Sequence, residues 1–264
     1  MSSAKSVTSG VLAALRKLAR KVLPLRILEM RAKAAEVRRH REYQNLPIEK
    51  VFARIYQGNE WGGEDGFYSG TGSHDPAIVV PYVQAVRAVL SKLANRPVVV
   101  DVGSGDFNVG SQFVCLVARY YACDIVADLQ AFNRQKYAFD NVEFLCVNAV
   151  DDELPAGDVI IIRQVLQHLS NAQIQKILEK CHRFPRWVIT EHVPASPSFV
   201  PNRDIGAGCG IRILFDSGVD LLAPPFSVQG YSHRLLCEVA EHGGIIRTTL
   251  FEHDSCTAQA EEVA

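Results

Sequence analysis

The sequence predicts an α/β chain whose mainly parallel sheet is covered by helices on both faces. Three observations predict it. A β-branched run, Val98 to Val102, enters the tight loop Gly103-Ser104-Gly105, and Val109, Phe113 and Leu116 then recur at helical spacing. Further strand-length apolar runs follow at Ala122 to Val126, Val142 to Val147, Asp158 to Ile162 and Trp187 to Thr190. The stretches between them have helix length, and strands alternating with helices in this way build parallel sheets.

In chain order, residues 1–42 read as a basic amphipathic helical extension. Between Lys5 and Arg41, the residues Arg16, Lys17, Arg20, Lys21, Arg26, Arg31, Lys33, Arg38 and Arg39 are opposed only by Glu29 and Glu36. Val11, Leu15, Leu18, Val22 and Leu25 recur at helical spacing, with Pro24 placed to break or restart the helix. Such a stripe either lies on an anionic membrane surface or packs on the core or on a second subunit. Residues 43–94 read as a cap segment: an aromatic-rich stretch, the loop Ser69-Gly70-Thr71-Gly72-Ser73, then a helix through Val83, Val86, Leu90 and Leu93. Residues 95–256 hold the sheet, with an insert at about 193–228. Ser170 and Gln173 form a capping box, and Leu169 with Ile174 a hydrophobic staple, for a helix Asn171 to Cys181. Tyr231 to His242 reads as a helix, Gly243-Gly244 as its stop, and Ile245 to Phe251 as the last strand. The small, acidic tail 257–264 reads as disordered.

The glycine loop suits a nucleotide-like ligand at a strand's carboxyl end. A dinucleotide fingerprint wants glycine or alanine at position 108, where this chain has Asn108. Asp101 would repel a phosphate but suits an ammonium or sulfonium group. Asp124 lies about 20 residues after the loop, the spacing of a ribose-binding carboxylate.

Asp101-Val102-Gly103-Ser104-Gly105 resembles the first motif of the class I S-adenosylmethionine-dependent methyltransferases. The resemblance implies a Rossmann-like, seven-stranded, mainly parallel sheet and S-adenosylmethionine as cofactor. It puts Asp124, with Ile125, on the ribose. It puts Asn148, with Ala149, at the adenine, where the family usually has Asp; the Asn amide oxygen can still accept. Arg163 and Gln164 then flank the cofactor at the fourth strand's end, while Ser69 and Ser73 close over its methionine carboxylate. That loop reads otherwise as a plain flexible connection. Phe52 to Tyr56, Glu60-Trp61-Gly62-Gly63 and Tyr68 to Ser73 resemble the leader of a bacterial methyltransferase subgroup of unassigned acceptor. Asn202 to Ile205, Arg212, Asp216 to Val219 and Pro224-Pro225-Phe226 resemble the region after that group's fifth strand. Trp61 and Tyr68 are then candidate lid or substrate residues.

Methyl transfer depends on aligning acceptor, methyl and sulfur, and an oxygen or nitrogen acceptor must also lose a proton. His192, Glu191 and His168 are the titratable groups that chain order brings to the edge after the fourth and fifth strands. His168 also has a structural reading, since in the resembled family a His-Leu pair often closes this loop onto backbone. Arg203, Asp204 and Arg212 either bind a polar acceptor or form surface ion pairs. His74, His182, His233, His242 and His253 read as ordinary exposed or capping residues, and Asp128 as a solvated helix residue.

Composition narrows the class further. A net charge of −1 over 264 residues argues against a dedicated nucleic-acid binder. Seven cysteines, odd in number and without a Cys-x-x-Cys pair, argue against a disulfide framework or zinc site, and no metal is expected. No uncharged apolar run reaches the roughly 20 residues of a membrane span, and the charges at 16–21 argue against a signal peptide. The expectation is a cytoplasmic enzyme, peripheral on the inner membrane face if the basic extension is a membrane contact, and a homodimer if it packs on a second subunit. Its acceptor is expected to be a hydroxyl of a small molecule or of a sugar in a glycan or lipid-linked glycan. The alternatives are a nucleotide-dependent oxidoreductase on a similar fold and a non-catalytic methyltransferase-like partner protein.

Overall fold

In the computed structural model, the described residues are 25–254 apart from 64, 65, 197 and 242. The chain divides into two compact units, 1–42 and 43–264. The first is described only through helix α1 (Leu25–Tyr43), on which Ile27, Met30 and Val37 are exposed and Arg38 meets Glu42 at 3.9 Å. The periodic residues from Val11 to Val22 and the tail 257–264 lie outside the described residues.

The second unit starts with α2 (Ile48–Gln57), whose buried face is Val51, Ile55 and Tyr56, and α3 (Pro76–Leu90). Asp75 caps α3 by accepting from the Ala77 N–H at 2.9 Å, and Pro76 occupies its first turn, where no N–H is needed. There follow β1 (Val98–Val102), β2 (Arg119–Asp124), α4 (Ala127–Lys136), β3 (Val142–Cys146), β4 (Val159–Arg163), α5 (Asn171–Cys181), β5 (Arg186–Pro194), β6 (Tyr231–Glu241) and β7 (Gly244–His253). They form a seven-stranded sheet in the order β3-β2-β1-β4-β5-β7-β6. The first five strands are mutually parallel; β7 enters antiparallel between β5 and β6. Alternate residues of each buried strand feed opposite faces: Val100, Ile160, Ile162 and Trp187 join α5 on one, and Val99, Ile161, Val188 and Leu250 join α3 on the other. The α5 capping box is present, and Leu169 and Ile174 share one core cluster.

Four expectations change. The segment after the glycine loop is a 3₁₀ helix, Gly110–Leu116, not an α-helix. Ser111 Oγ donates to the Asn108 carbonyl at 3.1 Å, and the Gln112 N–H turns to Val109 O at 3.1 Å, so the tighter turn replaces the α-helical bond. Tyr231–Glu241 is the edge strand β6, not a helix, because it pairs along its length with β7, and that ladder overrides its helix-compatible pattern. Gly243 (φ +76°) then turns a hairpin instead of stopping a helix. Finally, β5 runs on to Pro194, so Glu191 and His192 lie inside the strand instead of after it.

The insert after β5 contains no α-helix among its described residues, only the 3₁₀ turn Arg212–Phe215. Asn202, buried at φ +56°, staples it. Its Nδ2 donates to the carbonyls of Asp220, Ala223 and Pro224, and its Oδ1 accepts from the Asp220 N–H.

Candidate functional site

The carboxyl ends of β1, β2 and β4 meet at the glycine loop. Gly103 (φ +73°) donates its N–H to Cys123 O at 2.8 Å, and a Cβ there would sit 2.3 Å from the Val165 side chain. Gly105 (φ +57°) is as restricted, because a Cβ would sit 2.4 Å from Ser69 Oγ. Asp124 ends β2 and is buried; it accepts from the Gly105 N–H at 3.1 Å and the Val126 N–H at 3.0 Å. Burial pushes its pKa up to about 6, against those backbone donors. Asp101 is buried within β1, accepts from the Tyr120 hydroxyl at 2.8 Å, and is pushed by burial up to about 7. Arg163 ends β4 with its guanidinium 4.7 Å from the Tyr82 ring centroid; burial lowers its pKa, while Tyr82 and Asp101 act to raise it. Ser104 Oγ is buried and has no hydrogen-bond partner among the described residues.

A third carboxylate, Asp106, directly follows the loop. It is buried and holds the segment Tyr68–His74 over the glycines. Its Oδ2 accepts from the Ser69 N–H at 3.0 Å and lies 2.6 Å from His74 Nε2, and its own N–H donates to Ser69 Oγ at 2.9 Å. Oδ1 accepts from the Asn108 N–H at 3.2 Å, and Asn108 Nδ2 donates to Ser73 O at 2.7 Å. The strap is also pinned to two other strand ends. Arg163 donates to Ser73 Oγ at 3.2 Å and to Gly72 O, and Thr71 Oγ1 donates to Glu241 at 3.2 Å. Ser69 and Ser73 therefore lie across the glycine loop, and the segment is not a loose connection.

Asn148 is half-buried at the end of β3. Its Oδ1 accepts from the Val150 N–H at 3.0 Å and its Nδ2 donates to Asp151, which sets the turn carrying Ala149. Asp128 is exposed in the first turn of α4. Ile125 is half-buried between Asp124 and α4, and Gln164, at φ +55°, donates its N–H to Thr190 O at 2.6 Å.

On the acceptor side, Trp61 faces His168 with ring centroids 5.4 Å apart. His168 is buried, and its Nδ1 lies 3.1 Å from Gly208 O and 3.2 Å from Gly210 O. Burial lowers its pKa to about 4, so the ring is neutral, with Nδ1–H donating to those carbonyls. Glu191 accepts from the backbone N–H groups of Val165, Leu166 and Gln167 at 2.9–3.2 Å. Its pKa is pushed by burial up to about 8, with those donors and Arg212 pulling it down. His192 is buried, with Nε2 3.1 Å from Glu241 O. Tyr68 is apart from this group, stacked on His74 at 4.4 Å.

Of the three insert residues expected to bind a polar acceptor or to form surface ion pairs, Arg203 and Asp204 are exposed and Arg212 is buried. Arg212 donates to the carbonyls of Arg203, Leu166 and Leu169 and to Asn171 Oδ1 at 2.7–3.0 Å. Its four hydrogen bonds serve backbone or Asn171, so it ties the insert to the loop before α5. Asp204 is likewise engaged, accepting from the Asn171 and Ile205 N–H groups at 2.7 and 3.0 Å.

Sequence reasoning missed Asp106 and set His74 aside. The only available signal was an aspartate next to the glycine loop and a histidine closing a serine-rich loop. That they meet depends on chain separated by 32 positions. A second concavity, of about 300 Å³, lies on the sheet face formed by β5, β7 and β6 and is bordered by Leu221, Leu235, Glu238, Arg247 and Phe251, away from the glycine loop.

Residues 100–186 match the family model of the methyltransferase domain. No curated protein matches the chain by sequence. Solved structures share the fold at low identity. The N-methyltransferase NodS from Bradyrhizobium japonicum, solved with S-adenosyl-L-homocysteine, has a TM-score of 0.56 at 10% identity over 76% of this chain and 98% of its own. The 1,6-didemethyltoxoflavin-N1-methyltransferase from Burkholderia thailandensis has 0.51 at 17% identity over 78% and 88%. The magnesium protoporphyrin IX methyltransferase from Synechocystis has 0.51 at 15% identity over 79% and 98%.

Proposed function

We propose, from the premise that residues 100–186 form a methyltransferase domain on the class I fold, that this chain transfers a methyl group from S-adenosylmethionine to a hydroxyl of a small molecule or a sugar. One observation supports the cofactor above all. Three buried carboxylates, Asp101, Asp106 and Asp124, surround a glycine loop that opens into a 3₁₀ helix, not an α-helix. A pyrophosphate would meet three buried carboxyl groups there without an α-helical dipole to offset them. A ligand carrying ammonium and sulfonium charges and no phosphate suits the same surroundings. This counts against the oxidoreductase reading.

The residues present fit such a group. Gly103 and Gly105 hold left-handed φ values of +73° and +57° that let the backbone turn tightly beneath the strap, and Ser104 Oγ is a buried hydroxyl in want of a partner. Asp124 would hold the ribose hydroxyls, Asn148 and Ala149 the adenine edge, with Ile125 against the adenosine. Ser69, Ser73, Arg163 and Gln164 would enclose the methionine end. The bound cofactor supplies an already electrophilic methyl carbon, so the protein's part is alignment, exclusion of water and removal of the acceptor's proton.

For the acceptor, Trp61 offers a half-buried aromatic face beside His168, a surface that suits a sugar or another ring. Glu191 has both oxygens engaged by backbone, which leaves the histidines as proton acceptors. His168 is supported by its neighbour Trp61, against which stand its lowered pKa and the approach of Gln167 Nε2 to its Nε2 at 3.3 Å, and His192 by its place one strand further along the edge. His168→Ala and His192→Ala separate them: the base's removal lowers kcat by roughly 10²–10⁴-fold with cofactor affinity unchanged. Contact of residues 1–42 with an anionic membrane, and a homodimer, remain part of the proposal on the basic composition of that extension. No helix among the described residues is long and apolar enough to cross a membrane.

Methyl-labelled S-adenosylmethionine incubated with the protein and fractionated cell extract tests the reading. Label in an ether-linked methyl of a small molecule or glycan supports it. Label on nitrogen or carbon replaces the hydroxyl, and no transfer to any fraction favours a non-catalytic partner.

A further inference from the structure

We propose that His74 is a positioning residue for the cofactor, acting through Asp106 to hold the Tyr68–His74 strap across the glycine loop; this rests on the reading of that loop as the S-adenosylmethionine site. Asp106 is the fixed half of the latch. Its side chain is 3% exposed, and both its oxygens and its own N–H are engaged, as is its carbonyl, which accepts from the Tyr137 hydroxyl at 3.1 Å. His74 is the movable half. Its side chain is 31% exposed, and it connects to the loop through the 2.6 Å approach of Nε2 to Asp106 Oδ2. With a carboxylate as partner, Nε2 carries the proton. The other contact of the ring is Tyr68, stacked at 4.4 Å with an interplanar angle of 20°. One histidine therefore connects the start of the strap, its end and the buried acid beneath it.

The strap lies directly on the glycines, since Ser69 Oγ occupies the space a Cβ on Gly105 would need. A ligand that enters or leaves over this loop must lift it. Lifting breaks the pair of Ser69–Asp106 bonds, the His74–Asp106 bond and the Arg163 bonds to Gly72 and Ser73. The Thr71–Glu241 bond is exposed, and the His74–Asp106 bond is the one that ties the strap's end, through a part-exposed ring, to the buried acid. Loss of it favours the open strap and shortens the residence of whatever lies beneath. The proposed base His168 is held by Gly208 and Gly210 and not by the strap, so its place is kept when the strap opens.

The test is stopped-flow dissociation of S-adenosylhomocysteine from the full-length protein, read beside KM for S-adenosylmethionine and kcat. His74→Ala is expected to raise the dissociation rate about tenfold, the effect of one charged hydrogen bond, with KM rising in step and kcat nearly constant. His74→Gln, which keeps a donor at similar reach, is expected to restore most of the loss. Tyr68→Leu, which removes the stack and leaves Asp106 alone, is expected to act in the same direction and serves if His74→Ala does not fold. A wild-type dissociation rate in folded His74→Ala overturns the latch. A fall in kcat at constant KM that His74→Gln does not rescue overturns it in favour of proton transfer. If the wild-type protein binds no S-adenosylhomocysteine, the cofactor reading fails and the latch with it.

Discussion

The proposed roles of Asp124 and Asp101 carry a pH dependence. Both are acids raised by burial, to about 6 and about 7. Ribose hydroxyls and a cationic ligand favour the ionised carboxylate, so binding expels whatever proton each acid still holds. The sign follows: affinity is weak below pH 6, rises through 6 to 7, and levels off above. Calorimetry of S-adenosylhomocysteine at pH 5.5 and 8, in buffers of different ionisation enthalpy, should show tighter binding at the higher pH and proton release at the lower; a flat profile removes these acids from the site. Asp124 was legible because its spacing from the glycine loop is local. Asp106 was not, since its role depends on Ser69 and His74, which fold onto it from a different segment. Arg212 was illegible for another reason: an arginine serving backbone carbonyls leaves no partner residue in the sequence to suggest its burial.

The loop from Gln164 to Ser170, between β4 and α5, depends on two buried charged side chains. Glu191 takes up its backbone N–H groups from one side, and Arg212 its carbonyls, at Leu166 and Leu169, from the other. Arg212→Ala leaves the Leu166 and Leu169 carbonyls without their donor, a loss of about 1–3 kcal/mol for each group left unpaired. We expect a fall in melting temperature of several degrees, with His168 no longer held, and a wild-type thermogram would mean that water replaces the guanidinium. The α5 helix was readable from its capping box, because both halves of that bond lie three residues apart. β6 was misread because an edge strand buries only one side. Leu235, Leu236 and Val239 satisfy a helical stripe as well as a strand, and only pairing with β7 decides between them.

At the scale of the molecule, the parallel half of the sheet was legible, since β1 and β4 are β-branched runs and the other strands are apolar stretches alternating with helix-length segments. In the antiparallel half, β7 was legible as the run Ile245 to Phe251, while the edge strand β6 was not, because only its pairing with β7 separates it from a helix. Unit 43–264 contains all seven strands and both sheet-face clusters. Removing residues 1–42 should therefore leave cofactor affinity unchanged, and sedimentation with anionic vesicles should be lost if that segment is the membrane contact. A fall in melting temperature with newly exposed apolar surface would instead identify a structural helix.

The central claim is that S-adenosylmethionine lies on the β1–β2 edge with its ribose on Asp124. Calorimetric titration of wild-type and Asp124→Ala protein with S-adenosylhomocysteine, and separately with NADH, tests it most directly. The account predicts binding of the first ligand and not the second, and a loss of about tenfold or more in the variant, the cost of the charged hydrogen bonds removed. Equal affinity in the two proteins, or binding of NADH in place of S-adenosylhomocysteine, would contradict it.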